Sequence, residues 1–150
     1  MKTPSLVFCL VLGLGIAPVP GLFVPGLPLA TAQAASLSGN FLAQTVRSSK
    51  PHREALERLI RGAQGIPPWV LNMVQADTYV GLASIEVPVE GRPMQLFFAC
   101  APKRCQQSAI KVLFSADGKH AVMRVDDQGA PPVFLGSPDA AEKAALERKP

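Results

Sequence analysis

The sequence holds few of the residues from which catalytic and metal sites are built. It has only two histidines and three cysteines, with a single Trp and a single Tyr. His52 and His120 fall on different predicted elements, and neither has metal-motif spacing or a nucleophile in a flanking motif. Asp126 and Asp127 lie together in a polar loop, and the solitary Gly118 forms no glycine-rich phosphate cradle. We therefore predict a binding protein, not an enzyme, with no metal and no cofactor.

Charge is absent from the first third of the chain, where no charged residue occurs between Lys2 and Arg47. The segment begins with a basic residue and continues through an apolar run over residues 6–16 and a stretch rich in Pro and Gly. It ends in two overlapping Ala-x-Ala sequences that close at Ala32 and Ala34. This order is typical of a secretory signal. The apolar run is shorter than the roughly 20 residues that a membrane span requires.

We expect cleavage of this signal after Ala34, with Ala32 as the alternative site. Residues 1–34 are then a signal peptide, and residues 35–150 form one exported domain without stable membrane insertion. A lipoprotein is disfavoured because Cys9 lies inside the apolar run and not after it.

Basic residues outnumber acidic ones only slightly, and the full chain has a formal net charge of +4. The basic residues are scattered and are not interleaved with aromatic residues, as they are in many nucleic-acid-binding surfaces. We therefore predict no nucleic-acid partner. A mild positive charge still favours association with acidic partners.

Two cysteines, Cys100 and Cys105, remain once the predicted signal is removed. In an exported chain such a pair is expected to form a disulfide. The ring is small, and loop closure in the unfolded chain accounts for only about 2 kcal/mol, so the bond is expected to shape a loop. A redox or metal pair is the alternative, although the spacing is not Cys-x-x-Cys and no His or second cysteine pair is near.

Helical periodicity precedes the cysteines in the exported domain. Residues 36–47 predict a short helix with Ser38 or Asn40 as its N-cap. Residues 52–61 predict a second helix, which Ser49 caps and a proline in the first turn initiates. The N-terminal part of the domain is therefore expected to be a helix pair.

Single residues outside the sheet carry further expectations. His52 is expected to be a solvated residue of the first helical turn. Trp69 lies in a Pro-Pro-Trp connector that cannot be helix interior, and it is expected to pack on a hydrophobic face. A C-terminal helix is predicted with Ser137 as N-cap, Pro138 at the first helical position and Asp139 beside the positive helix start.

From Thr78 onward the apolar period changes to two, which predicts strands. Turn signatures at Glu90–Gly91 and Asp117–Gly118 connect consecutive strands as hairpins. Helices first, a strand meander next and a helix last predict an α+β fold, with one antiparallel sheet of about five strands and helices mainly on one face. The predicted strands are 79–89, 94–100, 109–115, 120–125 and 133–135.

Several motifs in a fixed order make the exported domain resemble a known family. After the helix pair come Pro-Pro-Trp-Val70, a strand ending in Phe-Phe-Ala-Cys100 and the cysteine loop. Val-Leu-Phe-Ser-Ala-Asp-Gly118 and Phe-Leu-Gly-Ser-Pro-Asp139 follow. On these residues the domain resembles the Ivy family, inhibitors of vertebrate lysozyme from the periplasm of Gram-negative bacteria. The resemblance implies a periplasmic protein that binds c-type lysozyme, and family members have also been linked to restraint of lytic transglycosylases.

The same resemblance assigns a role to the cysteine loop, which in the family enters the active-site cleft of lysozyme. The cysteines and Pro102 match the family pattern, whereas Ala101, Lys103 and Arg104 stand where the family has Lys, His and Asp. Either the two cations contact the carboxyl groups of a glycosidase cleft, or the domain is a paralogue that binds another envelope partner. The oligomeric state stays open, a homodimer included. The implied target-binding residues, closed by Cys100 and Cys105, are Ala101, Pro102, Lys103 and Arg104.

Overall fold

The computed structural model describes residues 36–149, so the predicted signal peptide, residues 1–34, lies outside the described residues. The described part has four α-helices and six β-strands, and none of these helices is long and apolar enough to cross a membrane. The helices are α1 (Leu42–Ser48), α2 (Lys50–Ile60), α3 (Pro68–Leu71) and α4 (Ala140–Leu146). The strands are β1 (Val80–Gly81), β2 (Ile85–Val89), β3 (Arg92–Cys100), β4 (Ser108–Ser115), β5 (Ala121–Asp127) and β6 (Val133–Leu135).

All strands join one antiparallel sheet in the order β1-β3-β4-β5-β6, and β2 pairs with β3 on the same side as β1. Both predicted hairpin turns are present, and Glu90 and Gly91 have the positive φ angles, 50° and 76°, that a tight two-residue turn needs. The predicted α+β class with one antiparallel sheet is confirmed.

Helices cover the two faces of the sheet unequally, as predicted. Helices α1, α2 and α3 contribute most of the helical side chains that pack on one face, around Phe97 and Phe114. On the opposite face, α4 packs Ala145 and Leu146 beside Leu113 and Val122. The disposition of the helices mainly on one face is therefore confirmed, with the C-terminal helix on the other.

The strand predicted over residues 79–89 is interrupted between β1 and β2. Ser84 is buried there, and its backbone N–H donates to the Asn40 carbonyl at 2.7 Å. In turn, the Gly39 N–H donates to the Ser84 carbonyl at 2.9 Å. The segment before α1 therefore takes up the hydrogen bonds of Ser84, which breaks the continuous strand that the alternating pattern predicted.

The predicted start of the first helix is wrong, because α1 begins at Leu42 and its N-cap is Phe41. The Ser38 hydroxyl accepts a hydrogen bond from the Glu86 N–H at 2.9 Å, so it is engaged with β2. The Asn40 side chain donates to the Ser36 carbonyl at 2.8 Å. Neither predicted cap reaches the helix, since the segment that holds them lies along the sheet edge.

The predicted cap of the C-terminal helix is also wrong, because the N-cap of α4 is Asp139, two residues after Ser137. The Asp139 carboxylate accepts the Glu142 N–H at 2.8 Å, and the Glu142 carboxylate accepts the Asp139 N–H at 3.0 Å. This reciprocal capping box satisfies two N–H groups of the helix start. Glu142 also pairs with Nε2 of His120 at 2.6 Å, which ties α4 to the start of β5.

The expectation that His52 is solvated is wrong. Its side chain is buried at 8% exposure, and its ring lies 4.9 Å from that of Phe114 on β4. Nδ1 lies 2.7 Å from the Ser49 hydroxyl, so Ser49 is the N-cap residue of α2 but makes no side-chain hydrogen bond to the helix backbone. Burial lowers the pKa of His52, and the nearby Asp117 carboxylate only partly offsets this.

Trp69 packs against the core as predicted, although it lies within the short helix α3 and not in a helix-free connector. Pro67 is the N-cap and Pro68 takes the first helical position, where the N–H that proline lacks has no partner within the helix. The Trp69 Nε1–H donates to the Ser108 hydroxyl at 2.9 Å. This bond fixes α3 beside the foot of the cysteine loop.

Candidate target-binding loop

The cysteine loop is the tip of a hairpin formed by the two central strands β3 and β4. These strands pair in a continuous register from Met94 opposite Ser115 to Cys100 opposite Ala109. Central strands with apolar residues on both faces are well fixed in register. The stem beneath the loop is therefore a rigid support.

The predicted disulfide between Cys100 and Cys105 is present, with the two Cα atoms 4.8 Å apart. The bond closes the loop directly above the last strand pair, Cys100 opposite Ala109. Backbone hydrogen bonds continue the stem into the loop, since the Ala101 N–H donates to the Ser108 carbonyl at 3.0 Å. Covalent and hydrogen-bonded closure together limit the conformations of the tip.

A β-turn occupies the first half of the ring. The Arg104 N–H donates to the Ala101 carbonyl at 3.0 Å, with Pro102 and Lys103 between them. Lys103 has a φ of 64°, so the turn has proline at its second position and a left-handed residue at its third, as in type II turns. Glycine is the usual residue at that third position, which makes a lysine there an energetically unfavourable choice.

The four residues assigned to target binding are not equally available. Ala101 is only 2% exposed and supports the loop from below. Pro102, Lys103 and Arg104 are exposed at the tip. Of the four assigned residues, a proline and two cations are therefore available at the surface, beside the exposed Cys105, Gln106 and Gln107.

We expect Lys103→Gly to stabilise the fold by about 1 kcal/mol, because glycine removes the strain of the left-handed conformation. The greater conformational freedom of glycine in the unfolded chain offsets only part of this gain. Urea unfolding measures the change. Arg104→Gly is the matched control, since Arg104 is not among the described residues with positive φ and glycine there relieves no strain. Equal effects of the two substitutions would contradict this account of the turn.

Neither Lys103 nor Arg104 forms an ion pair with any residue of the 36–149 region. On the neighbouring sheet face, Arg124 is already engaged, because its guanidinium donates to both oxygens of Asp126 at 3.0 Å. Burial lowers the pKa of Lys111, and the adjacent Arg124 lowers it further. Asp126 and Glu147 raise it, but less than burial and Arg124 lower it. Among the described residues, Lys103, Arg104 and Lys111 therefore form no ion pair, whereas Arg124 is paired with Asp126 and Glu147.

The sequence interpretation missed a group of residues beside the loop. Phe98 on β3 is paired with Lys111 on β4. This pair lies on the same sheet face as the pair of Cys100 and Ala109, two residues farther from the loop along each strand. Counting outward from the two cysteines would place Phe98 opposite Gln107, whereas aligning the predicted strands 94–100 and 109–115 end to end gives the observed pairing. Val80 and Leu82 join the group from β1 and the residue after it, and no local pattern in the sequence indicates that they lie there.

The other chemically capable side chains do not form a common site. His52 and His120 remain on separate elements, and no three His, Cys, Asp or Glu residues of the described chain are grouped to hold a metal. Ser49 and His52 are hydrogen-bonded, but Nε2 of that imidazole is buried without a partner, so no third group orients the ring. Asp126 is paired with Arg124 at 2.8 Å.

Comparison with protein-family models and with curated proteins finds no match for this chain. The resemblance to the Ivy family therefore stays a prediction from the motifs of the sequence.

Proposed function

We propose that this domain is a periplasmic protein inhibitor of a peptidoglycan-cleaving muramidase, either a c-type lysozyme or a lytic transglycosylase. The disulfide-closed loop enters the active-site cleft of that enzyme. The observation that carries the proposal is the exposed tip of Pro102, Lys103 and Arg104 on a closed hairpin. Its shape and charge suit a narrow acidic cleft.

Charge complementarity supports this target class. A glycosidase cleft holds two carboxyl groups on either side of the scissile bond. Arg104 offers a planar guanidinium that can donate two parallel hydrogen bonds to one carboxylate, and Lys103 offers a compact ammonium. Both cations lose hydration on entering the cleft, so binding requires that each finds an acceptor there.

Preorganisation of the loop supports the same reading. Binding orders flexible groups at a cost of about 0.5–1.5 kcal/mol for each long side chain, and mobile backbone adds to that cost. Here the disulfide, the Ala101–Arg104 turn and the bonds of the Gln107 and Ser108 N–H groups to the Arg104 carbonyl fix the backbone before binding. Only the side chains of the tip remain to be ordered.

A second candidate is an Ivy-like paralogue that binds a different envelope partner. It is favoured by the tip itself, which has two adjacent cations and no acidic side chain. Such a tip can donate hydrogen bonds from its side chains but cannot accept them, so a cleft that presents donors would reject it.

The test is lysis of a peptidoglycan suspension by c-type lysozyme or by a lytic transglycosylase, titrated with oxidised protein spanning residues 35–150. We expect stoichiometric inhibition by the wild type and a loss of at least about 100-fold for Lys103→Glu with Arg104→Glu, since both attractions become repulsions. Lys50→Glu with Arg53→Glu is the matched control. It makes the same change in net charge at the start of α2, next to the opposite end of β4 from the loop.

A second variant, Lys103→His with Arg104→Asp, separates the two candidates. Inhibition by this variant with none by the wild type shows that the scaffold can bind and that the natural tip serves another partner. Inhibition of neither enzyme by either protein contradicts the proposal.

A further inference from the structure

An apolar groove of about 300 Å³ lies directly beside the cysteine loop. Its floor is the β3–β4 stem, and the disulfide itself forms one end. Among the described residues that line it, only Lys111 has a charged side chain. The lining residues that matter for binding are Val80, Leu82, Phe98, Ala109 and Lys111.

The groove exists because α4 covers only part of its sheet face. That helix contacts β2, β4 and β5, and its Leu146 packs in the cluster that includes Leu113 and Val122. Toward the cysteine loop, the same face continues through Lys111 and Ala109 on β4, opposite Phe98 and Cys100 on β3. There the face borders the groove, and the described part of the chain places no helix over it.

The outer wall of the groove is unusually apolar for an exposed surface. Val80 is 48% exposed and Leu82 is 51% exposed. The segment before α1 hydrogen-bonds to the sheet edge at Ser84 and Glu86. Within residues 36–149 no hydrogen bond from that segment reaches β1, so the two aliphatic side chains face solvent beside the loop.

The charged residues of the groove lining and of the loop tip, Lys111, Lys103 and Arg104, are all cations, and the acidic side chains that act on Lys111 are Asp126 on β5 and Glu147 at the end of α4. The ammonium of Lys111 lies 5.9 Å from the centre of the Phe98 ring, and it has no ion pair among the described residues. Lys103 and Arg104 extend the positive charge past the disulfide. Apolar floor and cationic rim together match a surface in which an apolar side chain projects next to carboxylates.

Size gives a second reason to join the groove to the loop. A stable protein–protein interface buries about 800 Å² on each partner. Three exposed tip residues do not supply that area alone. The groove is the apolar surface next to them, and apolar or aromatic anchors in such pockets carry much of the binding energy in interfaces.

We propose that this groove is the second contact of the loop's target, and that it receives a protruding aliphatic or aromatic side chain flanked by carboxylates on that protein. This inference rests on the proposed function. The loop blocks the cleft of the muramidase, and the groove holds a residue on the rim of the cleft. The groove then sets which muramidase is bound.

Binding of oxidised wild-type protein to c-type lysozyme and to a lytic transglycosylase, measured by isothermal titration calorimetry, is compared with that of Leu82→Asp. We expect the substitution to weaken binding by at least about 10-fold, because it places a carboxylate in the apolar contact and beside the carboxylates of the partner. Leu71→Asp is the matched control, since Leu71 is similarly exposed at 42% and lines a different depression. Unchanged thermal unfolding of both variants shows that the fold is kept.

Lys111→Glu is the second probe of the groove, and we expect it to weaken binding and to reduce its dependence on salt. Wild-type binding together with full binding by Leu82→Asp and Lys111→Glu overturns the inference but leaves the inhibitor function standing. Absence of wild-type binding to both enzymes overturns both. Weakening by Leu82→Asp but not by Leu71→Asp supports the groove as the second contact.

Discussion

Replacing Gly118 by alanine is expected to lower the free energy of unfolding by about 3–4 kcal/mol, because an overpacking clash of about 1–3 kcal/mol adds to a left-handed strain of about 1–2 kcal/mol. A Cβ at this position would stand 2.6 Å from Cγ of His52 and closer still to Nδ1 and Cε1. His52 has no room to retreat, since it is buried against Phe114. Alanine also meets the strain of a φ of +71°. Chemical denaturation of oxidised protein measures the loss.

Gly62→Ala separates the clash from the strain. Gly62 has nearly the same φ, +72°, and nothing lies within 4 Å of the position of its Cβ. It should therefore lose only about 1 kcal/mol, the cost of the left-handed conformation. In addition, His52→Ser should recover part of the loss in the Gly118→Ala protein by clearing the space. Equal losses for the two glycines would disprove the contact with His52.

The turn at Gly118 shows which part of the fold is readable from sequence. Asp117 and Gly118 predicted a turn, and the Gly118 N–H does donate to the Ser115 carbonyl at 2.8 Å. Asp117 stabilises it by accepting from the Ser115 hydroxyl and the Lys119 N–H. These contacts are local, so the pattern sufficed. The packing of His52 on this turn depends on a residue far away in sequence, and no local pattern reveals it.

The helix starts illustrate the same limit. Serine and asparagine before α1 predicted a cap, but Ser38 serves the Glu86 N–H of β2 instead. At α4, both Ser137 and Asp139 are residues that cap helices well. Asp139 is the N-cap because Glu142 lies at the third helical position after it, and these two residues form the reciprocal capping box. That signal is local and is present in the sequence.

For the candidate site, the sequence identified the loop but not its surroundings. Two cysteines in an exported chain and their spacing were enough to predict the disulfide. The groove combines residues from β1, β3 and β4, which become neighbours only when the strands pair. The burial of Ala101 follows from the same hairpin, since its backbone still pairs with Ser108. The place of Ala101 within the loop sequence therefore does not show whether its side chain is exposed.

Phe114→Ala is expected to destabilise the domain by about 3–5 kcal/mol, because it opens a cavity in the centre of the larger core. Phe114 is fully buried, with its ring edge-on to Phe97 at 5.9 Å and tilted against His52 at 4.9 Å. Phe114→Leu, which keeps most of the volume, should lose clearly less. Urea unfolding at pH 8 gives both values, and similar losses for Ala and Leu would contradict a cavity as the cause.

The same substitution should also change how stability depends on pH. Burial lowers the folded-state pKa of His52 below the 6.5 of an exposed histidine, so the unfolded chain binds the proton more readily. The stability that comes from neutral His52 is therefore fully present above pH 6.5 and is lost as the pH falls through the lower folded pKa. Without Phe114, water reaches the imidazole and its pKa moves back toward 6.5. We expect unfolding free energies measured between pH 8 and 5 to fall less steeply for Phe114→Ala than for the wild type, and an unchanged slope would show that another group controls it.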